Sequence, residues 1–223
     1  MHFAAVVFDL DGTLLDTLAD IAYSANAVLS RHGFPNHEID EYRWLVGEGV
    51  AKLFERALPA DQLVEAVIAR CVADFREVYG RHWNASTKAY EGIPELLSEV
   101  AALGIKCAVL SNKPDAFTKR CVAEYFRDTH FHMVLGQRDG FPRKPDPAGA
   151  LQILRQLEVP AAHGLFLGDS AVDMQTARRA GLYSVGALWG FRTRQELADA
   201  GADAIIQWPR DLLPILGVRA KSE

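Results

Sequence analysis

The chain has 223 residues, of which 49% are hydrophobic and 24% charged, so its length corresponds to one domain or one and a half. This composition supplies a sizeable core and excludes a disordered or fibrous protein. Lysine and arginine number 24 against 29 acidic residues, and the net charge of −5 offers no basic surface for nucleic acid. The longest run without a charged residue covers residues 180–191, whereas a membrane span needs about 20.

The N-terminal residues and the cysteines indicate the compartment. Residues 1–3 carry no basic region or cleavage site of the kind that precedes export. The three cysteines, Cys71, Cys107 and Cys121, form no close pair, which favours buried thiols over a disulfide framework or a zinc site. We therefore expect a cytoplasmic protein without a nucleic-acid or membrane partner.

Short apolar runs separated by helical patterns predict the fold. The runs are too short for helices and show little alternation, as in strands that are covered on both faces. From about residue 86 onward, they alternate with helical segments, two of which end at Gly104 and Gly181. This βαβα pattern predicts an α/β fold with a doubly wound, Rossmann-like parallel sheet. The predicted strands lie at residues 3–8, 107–110, 133–135, 165–167, 184–188 and 204–206.

One segment interrupts the alternation. Residues 18–79 contain no strand run but three amphipathic helical stripes, separated by turn signals near Gly33, Gly47 and Pro59. We predict an all-helical domain over residues 16–85, inserted into a core domain formed by residues 1–15 and 86–223.

Two acids at the end of the first predicted strand are the sharpest chemical signal. In Asp9-Leu10-Asp11-Gly12-Thr13, strand alternation places both carboxylates on one side, at the edge where open α/β sheets bind ligands. Two neighbouring carboxylates repel each other unless a cation or a shared proton is present. Gly12 permits a sharp turn, after which the backbone amides, including that of Thr13, can face an anion.

Two further motifs supply partners for such an anion. Ser111 and Asn112 end another apolar run directly before a helix, where a hydroxyl and backbone amides can bind a phosphate oxygen. Lys144 precedes Pro145 in a stiff, extended segment, so its ammonium is held in place to neutralise a carboxylate or a phosphate. By itself, the Ser111-Asn112 motif is equally typical of a helix cap, and the Lys144 motif is more typical of an exposed lysine in a loop.

A fourth motif completes the set. Asp169 ends a third buried run, and Asp173 lies four residues later in the first turn of a helix. Together with Asp9 and Asp11, these acids converge on one edge of the sheet, and with Lys144 they describe a divalent-metal site for an anionic ligand. Oxygen ligands favour Mg²⁺, and no His or Cys at ligand spacing suggests zinc.

The four motifs, in this order, resemble those of the haloacid-dehalogenase superfamily of phosphohydrolases. The helical insertion resembles the cap domain of the subfamily that includes phosphoglycolate phosphatase and β-phosphoglucomutase, and residues 189–203 also resemble phosphoglycolate-phosphatase relatives. The resemblance covers nearly the whole chain. It is highly specific for the superfamily and much less specific for a substrate.

The resemblance implies a mechanism. Asp9 is the expected nucleophile, which forms an aspartyl-phosphate, and Asp11 is the expected general acid and then base. Mg²⁺ is expected on Asp9, the backbone carbonyl of Asp11, and Asp169, with Asp173 orienting waters or Lys144. The groups expected to hold the phosphoryl oxygens are Ser111, Asn112, Lys144 and the amides of Gly12 and Thr13.

The substrate is less well defined. We expect a small phosphorylated metabolite whose specificity is set by the cap segment 43–49, where Arg43 or the nearby Lys52 could meet a carboxylate. Glu48 would repel a carboxylate, so a sugar phosphate competes with phosphoglycolate. A sugar phosphomutase shares every core motif, and a non-catalytic regulatory domain on this fold is a weaker alternative. Dehalogenation is disfavoured by the second aspartate, and the sequence is compatible with a monomer or a homodimer.

Overall fold

The computed structural model describes residues 2–218; Met1 and residues 219–223, which belong to the predicted core segments, lie outside it. The strands are β1 (Ala5–Phe8), β2 (Leu15–Asp16), β3 (Lys88–Ala89), β4 (Lys106–Pro114), β5 (Met133–Gln137), β6 (Gly164–Gly168), β7 (Tyr183–Ala187) and β8 (Ala204–Ile206). The α-helices are α1 (Leu18–Arg31), α2 (Tyr42–Leu45), α3 (Val50–Ala57), α4 (Glu65–His82), α5 (Ile93–Ala102), α6 (Asp115–Tyr125), α7 (Ala148–Leu157), α8 (Ala171–Ala180), α9 (Arg194–Asp199) and α10 (Leu212–Ile215).

The main sheet has six parallel strands in the order β5-β4-β1-β6-β7-β8. The predicted α/β fold with a doubly wound parallel sheet is therefore confirmed. Strand β1 lies between β4 and β6, so the strand order reverses at β1, and the carboxyl ends of these three strands form one crevice. In open α/β sheets, ligands bind at such a reversal.

Helices cover both faces of this sheet, which explains the strands' near-continuous apolar runs. Val6 and Phe8 of β1 belong to a core that continues into the helical insertion, whereas Ala5 and Val7 belong to a second core with residues of α7 and α8. Neighbouring side chains along a strand point to opposite faces of the sheet, and in β1 both faces are buried in the core.

Two details differ from the sequence prediction. Strand β4 does not end near residue 110 but continues to Pro114, so Ser111, Asn112 and Lys113 are held by the sheet. The short antiparallel pair β2–β3 was not predicted, because two residues per strand carry no periodic signal. This pair joins the outgoing and returning chains at the base of the insertion.

The insertion contains α1, α2, α3 and α4. The imidazole of His32 lies 2.6 Å from Asp74, and the hydroxyl of Tyr42 donates to Asn26 at 2.7 Å, so side chains from well-separated segments hold the helices together. The buried carboxylate of Asp20 accepts hydrogen bonds from both backbone amides of the return segment 86–87. The separation into two domains at residues 16–85 remains a prediction.

The helices and the cysteines bear on the expected environment of the protein. Within residues 2–218, no helix is both long enough and apolar enough to cross a membrane. Cys71, Cys107 and Cys121 are buried free thiols, as their spacing predicted.

Candidate active site

Lys144 lies at the centre of a buried charge cluster beyond the ends of β1 and β6. Its ammonium is 2.7 Å from a carboxylate oxygen of Asp9 and 2.7 Å from Oδ1 of Asp173. The other oxygen of Asp173 accepts hydrogen bonds from the backbone amide and the hydroxyl of Ser170, which caps α8. Asp173 therefore fixes the position of Lys144, and Lys144 faces Asp9. The sequence separation of these groups is long, and the sheet edge brings them together as expected.

Asp169 lies beside Asp9 on the same edge. Its Oδ2 atom accepts a hydrogen bond from the backbone amide of Phe191 at 2.7 Å, and the hydroxyl of Thr13 lies 3.5 Å from Oδ1. The chain passes very close here: a Cβ atom on Gly12, which has a φ of +85°, would lie 2.4 Å from Asp169 Oδ2. A larger residue at position 12 would therefore displace the carboxylate.

Two carboxylates of this cluster, those of Asp9 and Asp169, are destabilised as anions. Burial raises the pKa of Asp9 to about 7, and the ammonium of Lys144 opposes the rise. Burial also raises the pKa of Asp169 well above its ordinary value, and the charges of Asp173 and Asp9 add to the effect. For Lys144, burial lowers the pKa, but Asp173 and Asp9 outweigh it and raise the pKa above its usual value. The site therefore has a deficit of positive charge.

This deficit fits a divalent cation. Carboxylate oxygens of Asp9, Asp169 and Asp173 lie within 4.8 Å of one another, and all three residues are buried. With the acids ionised, Asp9, Asp11, Asp169 and Asp173 carry four negative charges against the two ammoniums of Lys113 and Lys144. The remaining two negative charges equal the charge of one Mg²⁺, and a set of oxygen donors is what that ion prefers.

Lys113 is a site residue that the sequence analysis missed. Its buried ammonium donates to both carboxylate oxygens of Asp11, at 2.8 and 3.1 Å, and lies 4.7 Å from the centre of the Tyr79 ring in α4. Burial lowers the pKa of Lys113, but the charge of Asp11 outweighs it and raises the pKa. Ser111 and Lys113 lie two positions apart on β4, so their side chains point to the same side of the strand. The sequence prediction ended this strand near residue 110 and therefore could not use that spacing.

Ser111 and Asn112 line the same crevice but differ in what they can still bind. Ser111 Oγ accepts a hydrogen bond from the backbone amide of Lys113, which leaves its own proton available for a phosphate oxygen. The Asn112 amide donates to the carbonyl oxygens of Gly47 and Lys144, both at 3.0 Å. Both side-chain amide hydrogens of Asn112 thus join the insertion to the Lys144 loop, and the expected role of Asn112 in holding phosphoryl oxygens remains a prediction.

The structure does not bring Arg43 and Glu48 into the crevice. Arg43 donates to the carbonyl oxygen of Gly190, and Glu48 pairs with Arg56 of the neighbouring helix α3. Lys52 pairs with Glu55 on α3 at 2.5 Å. Arg43 thus contacts a residue that is distant in the sequence, whereas Glu48 and Lys52 pair with residues that are close in the sequence. These residues therefore do not line the cavity at the site, contrary to the expected role of Arg43 and Glu48 in substrate binding.

One cavity connects the acids to the helical insertion. It opens to solvent at its mouth. Asp9, Asp11, Ser111 and Asp169 form its floor. The opposite side is formed largely by apolar side chains of α1, α3 and α4.

Comparison with known proteins shows the family. The model of the haloacid dehalogenase-like hydrolase family matches residues 6–187, which is most of the chain. The chain belongs to this family. The match spans β1 to β7 and therefore includes each of the four motifs at the crevice.

Individual relatives of this haloacid dehalogenase-like hydrolase agree over nearly its whole length. It is 32% identical to a phosphoglycolate phosphatase of Nitrosospira multiformis over 92% of this chain and 94% of the relative. It is 30% identical to a phosphoglycolate phosphatase of Pseudomonas syringae pv. tomato over 94% of this chain and 78% of the relative. The solved structure of a candidate phosphoglycolate phosphatase from Lactobacillus delbrueckii subsp. bulgaricus superposes with a TM-score of 0.91 at 28% identity, over 97% of this chain and 99% of that one. The predicted resemblance, and with it a hydrolase similar to phosphoglycolate phosphatases, is confirmed.

Proposed function

We propose that this hydrolase is a Mg²⁺-dependent phosphatase that cleaves a small phosphate monoester through an aspartyl-phosphate on Asp9. The observation that carries the proposal is the meeting of Asp9, Asp11, Ser111, Lys144 and Asp169 at the point where the strand order reverses. Its partner is a small phosphorylated metabolite rather than a nucleic acid or a membrane, and its compartment is the cytoplasm.

In the first step, a carboxylate oxygen of Asp9 attacks phosphorus, and the bond between phosphorus and the ester oxygen breaks. Lys144 faces the attacking carboxylate and reduces its repulsion with the phosphate dianion. Asp11 gives a proton to the departing oxygen, so the leaving group departs as an alcohol. Lys113 contacts both oxygens of Asp11 and thereby fixes the orientation of this carboxyl group.

In the second step, Asp11 removes a proton from water, and the water oxygen attacks phosphorus. The bond between phosphorus and Asp9 breaks, which releases inorganic phosphate and restores the Asp9 carboxylate. Ser111 Oγ retains a proton that it can donate to a phosphoryl oxygen in both steps, because its lone pair rather than its proton is used by the amide of Lys113. One set of groups thus serves two in-line displacements.

The buried acids fit a magnesium ion. Asp9, Asp169 and the backbone carbonyl of Asp11 would hold it, while Asp173 already uses its oxygens on Lys144 and Ser170. When bound, the ion supplies charge stabilisation for the phosphoryl oxygens.

The first prediction is that Mg²⁺ raises the thermal unfolding temperature more at pH 8 than at pH 5. Burial raises the pKa of Asp9 from 3.8 to about 7 in the folded protein, so the stability contribution of Asp9 falls as pH rises between these values. At pH 8 the carboxylates are free to bind Mg²⁺, and at pH 5 protons compete. At a hundred times Kd, the stabilisation is about 2.7 kcal/mol.

Differential scanning calorimetry, with and without Mg²⁺ at each pH, checks this prediction. Asp169→Asn should remove most of the shift at pH 8, and Asp128→Asn, at an exposed acid of the same core, should retain it. An equal shift at both pH values, or an unchanged shift in Asp169→Asn, would contradict the assignment of the metal site.

The proposed activity itself is tested by phosphate release. We expect the protein with Mg²⁺ to release phosphate from monoesters in a panel of p-nitrophenyl phosphate, phosphoglycolate, hexose phosphates and nucleotides, and to lose this activity in EDTA. Dependence on a sugar bisphosphate activator, with isomerised product and no released phosphate, would indicate a mutase instead. No turnover of any ester in the presence of Mg²⁺ would contradict both.

A further inference from the structure

The wall of the cavity opposite the acids is apolar. It is lined by Ile21 of α1, by Val50 and Leu53 of α3, and by Phe75 and Tyr79 of α4; Val50 is half-buried and the other four are buried. The rings of Phe75 and Tyr79 stack with their centres 5.2 Å apart. On the core side, Phe117 and Phe191 extend the same surface down to Asp169 and Lys113.

The cavity offers few charged groups to the organic part of a substrate. Among residues 2–218, the cationic residues that line it are Arg76, Lys113 and Arg192. Lys113 is paired with Asp11, and Arg192 binds the carbonyl oxygen of Val46 and lies 3.3 Å from Glu196. Arg76 of α4 is largely exposed to solvent. The buried hydroxyl of Tyr79 has no hydrogen-bond partner in the described part of the chain and is the polar group of this wall, so the rest of the wall returns no hydrogen bond to a polar substrate that loses water there.

We propose that the wall formed by Ile21, Val50, Leu53, Phe75 and Tyr79 binds an apolar leaving group, so that the preferred substrates are phosphate monoesters of hydrophobic alcohols. This inference rests on the proposed phosphatase function and names its substrate class. The phosphate would lie at the acid floor, and the alkyl or aryl part would lie against the insertion. Such a site binds glycolate or a sugar less well, because the hydroxyl of Tyr79 is the one polar group that these five wall side chains offer to their carboxylate or hydroxyl groups.

A series of straight-chain alkyl phosphates tests the inference on the unmodified enzyme. Ethyl, propyl and butyl phosphate have leaving alcohols of nearly equal acidity, so their rates differ mainly through contact with the cavity. Burial of each added methylene should raise kcat/KM about fourfold, or roughly fifteenfold from ethyl to butyl phosphate. A flat or falling series, or a higher kcat/KM for phosphoglycolate than for butyl phosphate, would overturn the inference. Failure to hydrolyse p-nitrophenyl phosphate as well would instead overturn the proposed phosphatase function.

A matched pair of variants locates the effect on the wall. Val50, in the first turn of α3, lines the cavity, whereas Val67, in the first turn of α4, is also partly buried but does not line it. Val50→Asn should reduce the ratio of kcat/KM for butyl to ethyl phosphate at least threefold, and Val67→Asn should leave the ratio unchanged. Equal ratios in both variants and the parent would place the preference elsewhere and contradict this assignment.

Discussion

Replacing Asp9 with asparagine is expected to lower kcat by on the order of 10⁴-fold or more while the protein stays folded. The amide has nearly the shape of the carboxylate but cannot form the aspartyl-phosphate, so the whole two-step pathway is lost. Lys144 keeps its ion pair with Asp173 at 2.7 Å, so no buried charge is left without a partner. Phosphate release under saturating substrate and Mg²⁺ measures the loss, and Asp128→Asn serves as the control.

We expect Asp9→Asn to retain or gain stability although it loses activity. Because burial raises the pKa of Asp9 to about 7, the ionised carboxylate is unfavourable at pH 8 without metal. The neutral amide removes that cost, so the unfolding temperature of metal-free Asp9→Asn should equal or exceed that of the parent. A variant that unfolds earlier would indicate a structural role, and one that keeps more than a few per cent of the activity would exclude Asp9 as the nucleophile.

The sheet was predictable because its physical signal is local. Each main strand is a short apolar run, and packing on both faces makes β1 and β6 fully buried. The parallel order followed from the alternation with helices. The convergence of Asp9, Asp169 and Lys144 could be predicted for the same reason, since carboxyl ends of parallel strands share one edge.

The choice of side-chain partners could not be predicted in the same way. Asn112 and Lys113 are adjacent in the sequence, but one binds backbone carbonyls of two distant loops and the other pairs with Asp11. Such choices depend on distances of a few ångströms between segments about 30 to 100 residues apart, and residue type and spacing do not encode them. Arg43 shows the same point, because its guanidinium donates to the carbonyl oxygen of Gly190, 147 residues away.

The second large effect is expected for Asp11→Asn, and it should depend on the leaving group. Without its general acid, the enzyme should lose on the order of 10² to 10⁴-fold in rate on alkyl phosphates. p-Nitrophenolate leaves without a proton, so Asp9 should still be phosphorylated by p-nitrophenyl phosphate. Loss of the base then slows hydrolysis of the intermediate. Stopped-flow absorbance should show a burst of p-nitrophenol equal to the enzyme concentration, followed by slow turnover.

Lys113 provides the companion variant, because it acts through Asp11. Lys113→Met removes the contacts at 2.8 and 3.1 Å that orient the carboxyl group but leaves the acid in place, so it should give a weaker loss with the same dependence on leaving group. Lys119→Met, at an exposed lysine paired with Asp115, is the matched control and should behave like the parent. If Lys113→Met slowed aryl and alkyl phosphates by the same factor, Lys113 would serve phosphate binding rather than the positioning of Asp11. If Asp11→Asn slowed aryl and alkyl phosphates by the same factor and gave no burst of p-nitrophenol, the assignment of Asp11 as acid and base would be wrong.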